Sequence, residues 1–401
     1  MAAGAPCYTV GMARSAMARS GAEQTGWDRV VVQLLGPSTG GIRVHVAELA
    51  RRLELRGWRV SVAGPAGVMD GVVGGRALDA TVPVPSGWHP ARLVAARRAL
   101  ATVVGAQGGD GPLVVHAHGL KAAAVALSLR VRRTRRRPPP VVLTIHNLVV
   151  GTHAGLRARA MRAVETAIIR RADHVLVISH EIAERVRDVV PARSWSFVLP
   201  VAPARLPTRG RDEVRASHGI SPVAPLVVVV ARLHPQKDLA TFLRAMLRVH
   251  RTVTDVRAII VGDGPERRAL TEQRDELGLG GVVELVGHRP DPADEMHAAD
   301  VVALSSRWEG SPLVVAEYLA LGKPLATTAV GTVTEHLEDG VSARIVPVGD
   351  DAALAAALID LLTDGAAAER IGQAGRRIGH DVFDAERLVD GVVRAYERVM
   401  P

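Results

Sequence analysis

Short runs of Val, Ile and Leu alternate with segments of helical period along nearly the whole chain. Runs at residues 30–35, 59–63, 113–116, 141–145, 174–178 and 196–199 predict six strands in the first half. Runs at 226–231, 257–261, 282–286, 301–304, 324–328 and 343–346 predict six more in the second. Several are unbroken apolar runs without the alternation of a half-exposed strand, which fits parallel strands covered on both faces. Between them, segments such as 42–56, 239–253 and 311–321 are amphipathic at helical spacing. This β-α-β-α order predicts an α/β chain of doubly wound parallel sheets. After Ala352 the pattern is almost purely helical, and the last segment, 385–399, has no sheet of its own left to cover.

A Pro-rich stretch without periodicity, 191–210, separates two complete α/β patterns, as an interdomain linker would. A length of 401 residues suits two domains. The expected division is a loose tail over 1–28, a first domain over 29–204, a second over 205–384, and a helix over 385–401 at the junction. The tail lacks a signal-peptide core and no run approaches a membrane span, so a cytoplasmic protein is expected. The single cysteine, Cys7, excludes an internal disulfide framework and a Cys-based zinc site. The net charge of +9 hides an asymmetry, because residues 1–204 carry +15 and residues 205–401 carry −6. A basic half joined to an acidic half argues against a general nucleic-acid coat. Three Phe and three Tyr also leave little for stacking on bases.

In doubly wound sheets ligands bind outside the carboxyl ends of the strands, so the residues there carry the candidate chemistry. The first strand runs into Gly40 and Gly41, a turn that suits either close approach of a phosphate to a helix N-terminus or simple chain reversal. The third ends at His116 and His118, and the fourth at His146 and Asn147. With no carboxylate or Cys at ligand spacing, polar contact with sugar or phosphate fits these better than a metal. Arg232 and Lys237 follow the strand at 226–231, and Lys237 is one of only three lysines. Two cations there could clamp a diphosphate and stabilise it as a leaving group, or form a solvated basic turn. The next strand ends in the tight turn Gly262-Asp263-Gly264-Pro265. The sharpest signal is Glu309 and Glu317, separated by seven residues, with Ser311, Pro312 and Leu313 among them. Glu309 falls in a loop and Glu317 about one and a half turns into the helix that follows. Both are good acceptors for vicinal hydroxyls. The apolar neighbours of Glu317 put it on a buried side, where a carboxylate calls for a partner.

Taken in order, these elements resemble the glycosyltransferases of the GT-B fold, specifically the large retaining group called family 4. The likeness runs from about residue 30 to 400, and the Glu309/Glu317 stretch with Gly322 and Pro324 is its most specific part. It implies two Rossmann-like domains facing across a cleft, with the last helix crossing back to the first domain. It also implies transfer of a hexosyl unit from a UDP- or GDP-sugar to an acceptor hydroxyl, with retention and with neither metal nor other cofactor. The absence of an Asp-x-Asp motif agrees with that. By the same resemblance Arg232 and Lys237 hold the diphosphate, Glu309 meets the transferred sugar, and Glu317 meets the nucleotide ribose. His146 sits near the anomeric centre, Gly40 and Gly41 lie against phosphate or acceptor, and Gly262–Pro265 lies against the base. Ser311, Pro312 and Leu313 belong to the donor side; His116, His118 and Asn147 belong to the acceptor side. The chain departs from the family at 199–203, where a Pro-Asn-Gly turn is common, and at Ser311 and Tyr318, where Phe and a small residue are common. The alternative is a nucleotide-sugar epimerase of the same fold, and a basic nucleic-acid-binding protein is a more remote one.

Residues 130–137 hold six cationic side chains in eight positions, and 156–171 alternates Arg with apolar residues. Both could be solvated surface. Both also suit the anionic inner face of a membrane presenting a lipid-linked acceptor, at about 1 kcal/mol per well-placed charge. A soluble anionic acceptor would use the same charge.

Overall fold

The computed structural model describes residues 29–400 except 39, 71, 73–75, 88, 108–110, 132–137, 148–155 and 204. The expected tail over 1–28 and most of the Arg run at 130–137 therefore lie outside the described residues.

The first sheet holds β1 (Val30–Leu35), β2 (Arg59–Gly64), β3 (Ala80–Thr81), β4 (Leu113–His118), β5 (Val141–Ile145), β6 (His174–Val177) and β7 (Trp195–Phe197). The second holds β8 (Leu226–Val230), β9 (Arg257–Val261), β10 (Val283–Gly287), β11 (Val301–Leu304), β12 (Leu325–Thr328) and β13 (Arg344–Val346). The strand orders are 3-2-1-4-5-6-7 and 10-9-8-11-12-13. Neighbouring strands are parallel throughout both sheets. The first five helices are α1 (Gly41–Leu55), α2 (Pro90–Ala106), α3 (Leu120–Ser128), α4 (Leu156–Arg171) and α5 (His180–Arg187). Next come α6 (Arg211–Ser217), α7 (Leu239–Thr252), α8 (Arg267–Glu276), α9 (Ala293–Ala298) and α10 (Leu313–Ala320). The chain closes with α11 (Thr332–His336), α12 (Asp351–Thr363), α13 (Gly365–Val382) and α14 (Ala385–Val399).

The unbroken apolar strands are covered on both faces, which is why they need no alternation. In the second domain Val227 and Val229 face a core with α7 and α12, while Leu226 and Val228 face one with Met296 and Tyr318. In the first, Val32 and Leu34 of β1 pack toward α2 and α3, and Val31 and Leu35 toward α1. The helix α14 does cross back. Its buried stripe Leu388, Val389, Val392, Ala395 and Tyr396 shares with α1 the cover over one face of the first sheet. Arg56 pairs with Asp390 at 2.7 Å and Arg29 with Glu397 at 2.8 Å along the seam.

Besides shifts of one or two residues at other strand ends, two differences from the sequence pattern stand out. The two-residue edge strand β3 carries no apolar run and so gave no signal. The strand β4 continues to His118, because Leu35 and His118 still pair across the β1–β4 ladder. That extension puts both histidines inside a strand.

Candidate active site

In each sheet the strand order reverses once, between β1 and β4 and between β8 and β11. The loops that leave the carboxyl ends on either side of such a reversal diverge and leave a crevice. A cavity of about 690 Å³ lies between the two domains at these points. Gly40, Gly41, His146, Asn147, Arg232, Lys237, Gly262, Asp263, Glu309, Ser311, Pro312, Leu313 and Glu317 all line it. The domains touch at its floor: a Cβ on Gly310 would stand 2.5 Å from the carbonyl oxygen of His146.

The loops after β8 and β11 are knitted together. Arg307 N–H donates to the Gln236 carbonyl at 2.8 Å, and Ser305 Oγ donates to the Lys237 carbonyl at 2.8 Å. Asp238 holds the turn in the left-handed region, with φ 45°, while Thr241 Oγ1 donates to its carboxylate at 2.9 Å. Lys237 Nζ therefore meets Glu309 Oε1 in an ion pair, with Ser306 Oγ donating to the same oxygen at 2.7 Å. Gln236 Nε2 donates to Glu309 Oε2 at 3.2 Å. A carboxylate held by three donors is fixed in direction, so it can accept from a sugar hydroxyl without first being ordered. Farther along α10, Glu317 is pushed up to about 7 by burial, opposed by Arg205 and assisted by Asp291.

On the other wall stands a chain of buried hydrogen bonds. His146 Nε2 meets His118 Nδ1 at 3.1 Å, and His118 Nε2 meets Gln33 Oε1 at 2.7 Å. Gln33 Nε2 donates to the Tyr396 hydroxyl at 2.9 Å, which meets His116 Nδ1 at 2.7 Å. His116 Nε2 ends the chain on Thr144 Oγ1 at 2.6 Å. Burial holds these histidines neutral, His116 near 3 and His118 and His146 well below the usual range. His45, His118 and His146 bring ligand-capable nitrogens within 4.8 Å of one another. The Val201 N–H donates to His45 Nδ1 at 2.8 Å, however, which puts the proton of the neutral ring on Nε2. Both nitrogens of His118 are also engaged, so a metal ion there would have to displace these bonds.

His116 and His118, expected on the acceptor side, are not among the residues that line the cavity. They lie within β4 at 0 % and 3 % exposure and support His146 from behind. Gly264 and Pro265 also fall outside the lining, because the turn folds onto Leu233. The pattern missed His45, Arg43, Arg205 and Gln236, all of which line the cavity. Arg43 lies two residues after Gly41 and donates to the Asp70 carbonyl at 3.1 Å. Its place in the first turn after the glycines was the one available signal.

The family model "Glycosyltransferase Family 4" matches residues 39–200, and "Glycosyl transferases group 1" matches 210–378. The phosphatidyl-myo-inositol mannosyltransferase of Mycobacterium leprae is 29% identical over 388 residues, 90% of this chain and 93% of that one. The glycogen synthase of Mycobacterium tuberculosis is 28% identical over 305 residues, 71% of this chain and 68% of that one. Among solved structures, the sucrose-phosphate synthase of Thermosynechococcus elongatus has the same fold, with a TM-score of 0.75 at 23% identity. That match covers 92% of this chain and 99% of the other. With one family model on each domain and the crevice between them, the chain belongs to the group 1, family 4 glycosyltransferases and is a GT-B enzyme that transfers a glycosyl group.

Proposed function

We propose that this enzyme moves a hexosyl unit from a UDP- or GDP-sugar to an acceptor hydroxyl with retention of anomeric configuration and without a metal ion. The observation that carries the reading is the Lys237–Glu309 ion pair at the β8/β11 reversal, with Arg232 in the same loop. The cations meet charge that grows on the diphosphate as the anomeric C–O bond breaks, the part a divalent metal plays elsewhere. Glu309 orients the sugar, and Glu317 accepts from the ribose. The acceptor oxygen bonds to the anomeric carbon on the face the diphosphate leaves, and its proton passes to the departing phosphate oxygen. An epimerase would need no acceptor, and the family match does not favour one.

The acceptor is proposed to be anionic or held at an anionic membrane. The outward side of α4 exposes Arg159, Arg162, Arg170 and Arg171 in the first domain. Among the described residues no helix is long and apolar enough to cross a membrane, so contact of this kind would be peripheral.

The test is thermal unfolding with UDP and GDP, with Lys237→Ala and Glu317→Ala as controls and EDTA in a parallel series. One nucleotide at a hundredfold excess over Kd is expected to stabilise the native protein by about 2.7 kcal/mol, lost in both variants and indifferent to EDTA. No stabilisation by either nucleotide overturns the donor-site reading; loss of it in EDTA overturns metal independence. Turnover of the bound donor, followed by NMR of the anomeric proton, reads retention. Sedimentation with vesicles of phosphatidylglycerol against phosphatidylcholine tests the membrane contact, and equal binding to both overturns it.

A further inference from the structure

Glu317 is a buried carboxylate, with 8 % of its side chain exposed, on a helix whose other inward residues are apolar. Its partner comes from outside the second sheet altogether. Arg205 lies in the stretch that joins the domains, and its own side chain is only 7 % exposed. The guanidinium Nε stands 3.2 Å from Glu317 Oε1, an ion pair by distance, yet Nε–H has no aligned hydrogen-bond acceptor. Nη1 reaches Asp291 at 3.7 Å and the Pro290 carbonyl at 3.5 Å. Arg205 and Glu317 both line the cavity. The pair places positive charge beside the carboxylate while leaving Nε–H unaligned to it.

We propose that Arg205 is a positioning residue of the donor site: from the interdomain linker it holds Glu317 as a carboxylate ready to accept from the two ribose hydroxyls. The inference rests on the reading that Glu317 meets the ribose. Its physical ground is that a charged acceptor makes the stronger hydrogen bond, whereas burial favours the uncharged acid. The groups around Glu317 are Arg205 from the linker, Asp291 from the loop before α9, and Tyr318 on its own helix, whose hydroxyl accepts from Val230 N–H at 2.8 Å. His288 and Arg289 line the same cavity. Of the two charged groups that act on Glu317, Asp291 disfavours the carboxylate and only Arg205 favours it.

The experiment measures binding of UDP and GDP to the full chain between pH 5.5 and 8.5, for the native protein, Arg205→Met and Arg205→Lys. Each titration is repeated with the 2′,3′-dideoxy form of the nucleotide that binds. The dideoxy form keeps base and phosphates, so their titrations cancel in the ratio of the two affinities. In the native protein that ratio falls as pH drops through the range in which Glu317 takes up a proton. Arg205→Met is expected to move the midpoint of the fall upward by about one pH unit, which lowers the ribose preference at pH 7 severalfold. Arg205→Lys restores most of it. A structural role alone lowers both affinities together and leaves the ratio unchanged, which overturns the proposal, as does a native profile in the Met variant. A native protein that binds neither nucleotide defeats the donor-site reading itself, and this inference with it. A ratio of one at every pH shows instead that Glu317 does not meet the ribose.

Discussion

Lys237 and Glu309 are each of the wrong environment to stand alone, with 18 % and 8 % of their side chains exposed, and each makes the other tolerable. Their pairing is local in space and distant in sequence, joined only because β8 and β11 are neighbours. The other two lysines have structural work: Lys323 Nζ donates to the carbonyls of His297 and Ala299 at 2.6 and 2.8 Å, and Lys121 Nζ donates to the Ser86 carbonyl. Lys237→Met is expected to lower kcat on the order of 10²–10³-fold, the usual cost of losing one donor at a developing charge. Steady-state turnover checks this, and a loss below tenfold would remove Lys237 from the chemistry. Arg232 and Lys237 were visible from their spacing; Arg205 was not, because nothing in a Pro-rich linker marks one arginine as the partner of a glutamate 112 positions later.

At the scale of elements, α14 matters most. Its apolar stripe was legible as a helix with nothing of its own to cover, yet the stripe cannot say which face it will meet. The fold seats it beside α1 and drives the Tyr396 hydroxyl between Gln33 of β1 and His116 of β4. The helix thereby props, through His118, the ring of His146 at the cavity wall. Tyr396→Phe keeps the packing but leaves Gln33 Nε2 and His116 Nδ1 buried without that partner. A loss of about 1–3 kcal/mol is expected in urea denaturation, with nucleotide affinity little changed. An unchanged unfolding midpoint would show that the hydroxyl carries no weight.

For the whole molecule, four neutral histidines packed between β1, β4, β5 and α1 make acid the natural threat. Burial depresses His45 to about 4 and His116 to about 3, with His118 and His146 in the same direction. Above their unfolded value near 6.5 the four are neutral in both states, and stability is unaffected. As pH falls below that, the unfolded chain takes up protons that the folded one refuses. Each histidine then costs roughly 1.4 kcal/mol per pH unit until its own folded value is reached. The melting temperature is expected to drop steeply between pH 6.5 and 5, where the four histidines outweigh the opposing uptake of one proton by folded Glu317. A flat profile over that interval would contradict the buried neutral cluster.

The alternation of strands and helices, the break between two α/β halves and the pair Glu309 and Glu317 as candidate site residues were all written in local pattern, since periodicity, glycines at strand ends and an acid amid apolar neighbours are properties of a few adjacent residues. Gly40, Gly41 and Glu309 needed no coordinates to be placed at turns leading into helices, nor Glu317 to be placed within the helix after Glu309. What had to wait for the tertiary structure was every statement about partners. His116 and His118 looked like strand-end residues facing a ligand, and became a support inside β4 once its pairing with β1 ran two residues further. Of the three histidines close enough for a metal, His118 and His146 share a buried chain of hydrogen bonds, and His45 accepts from the N–H of Val201 in the linker. Partnership depends on the order in which strands are laid into the sheet and on the path of the linker, and neither is encoded within any one segment of the chain.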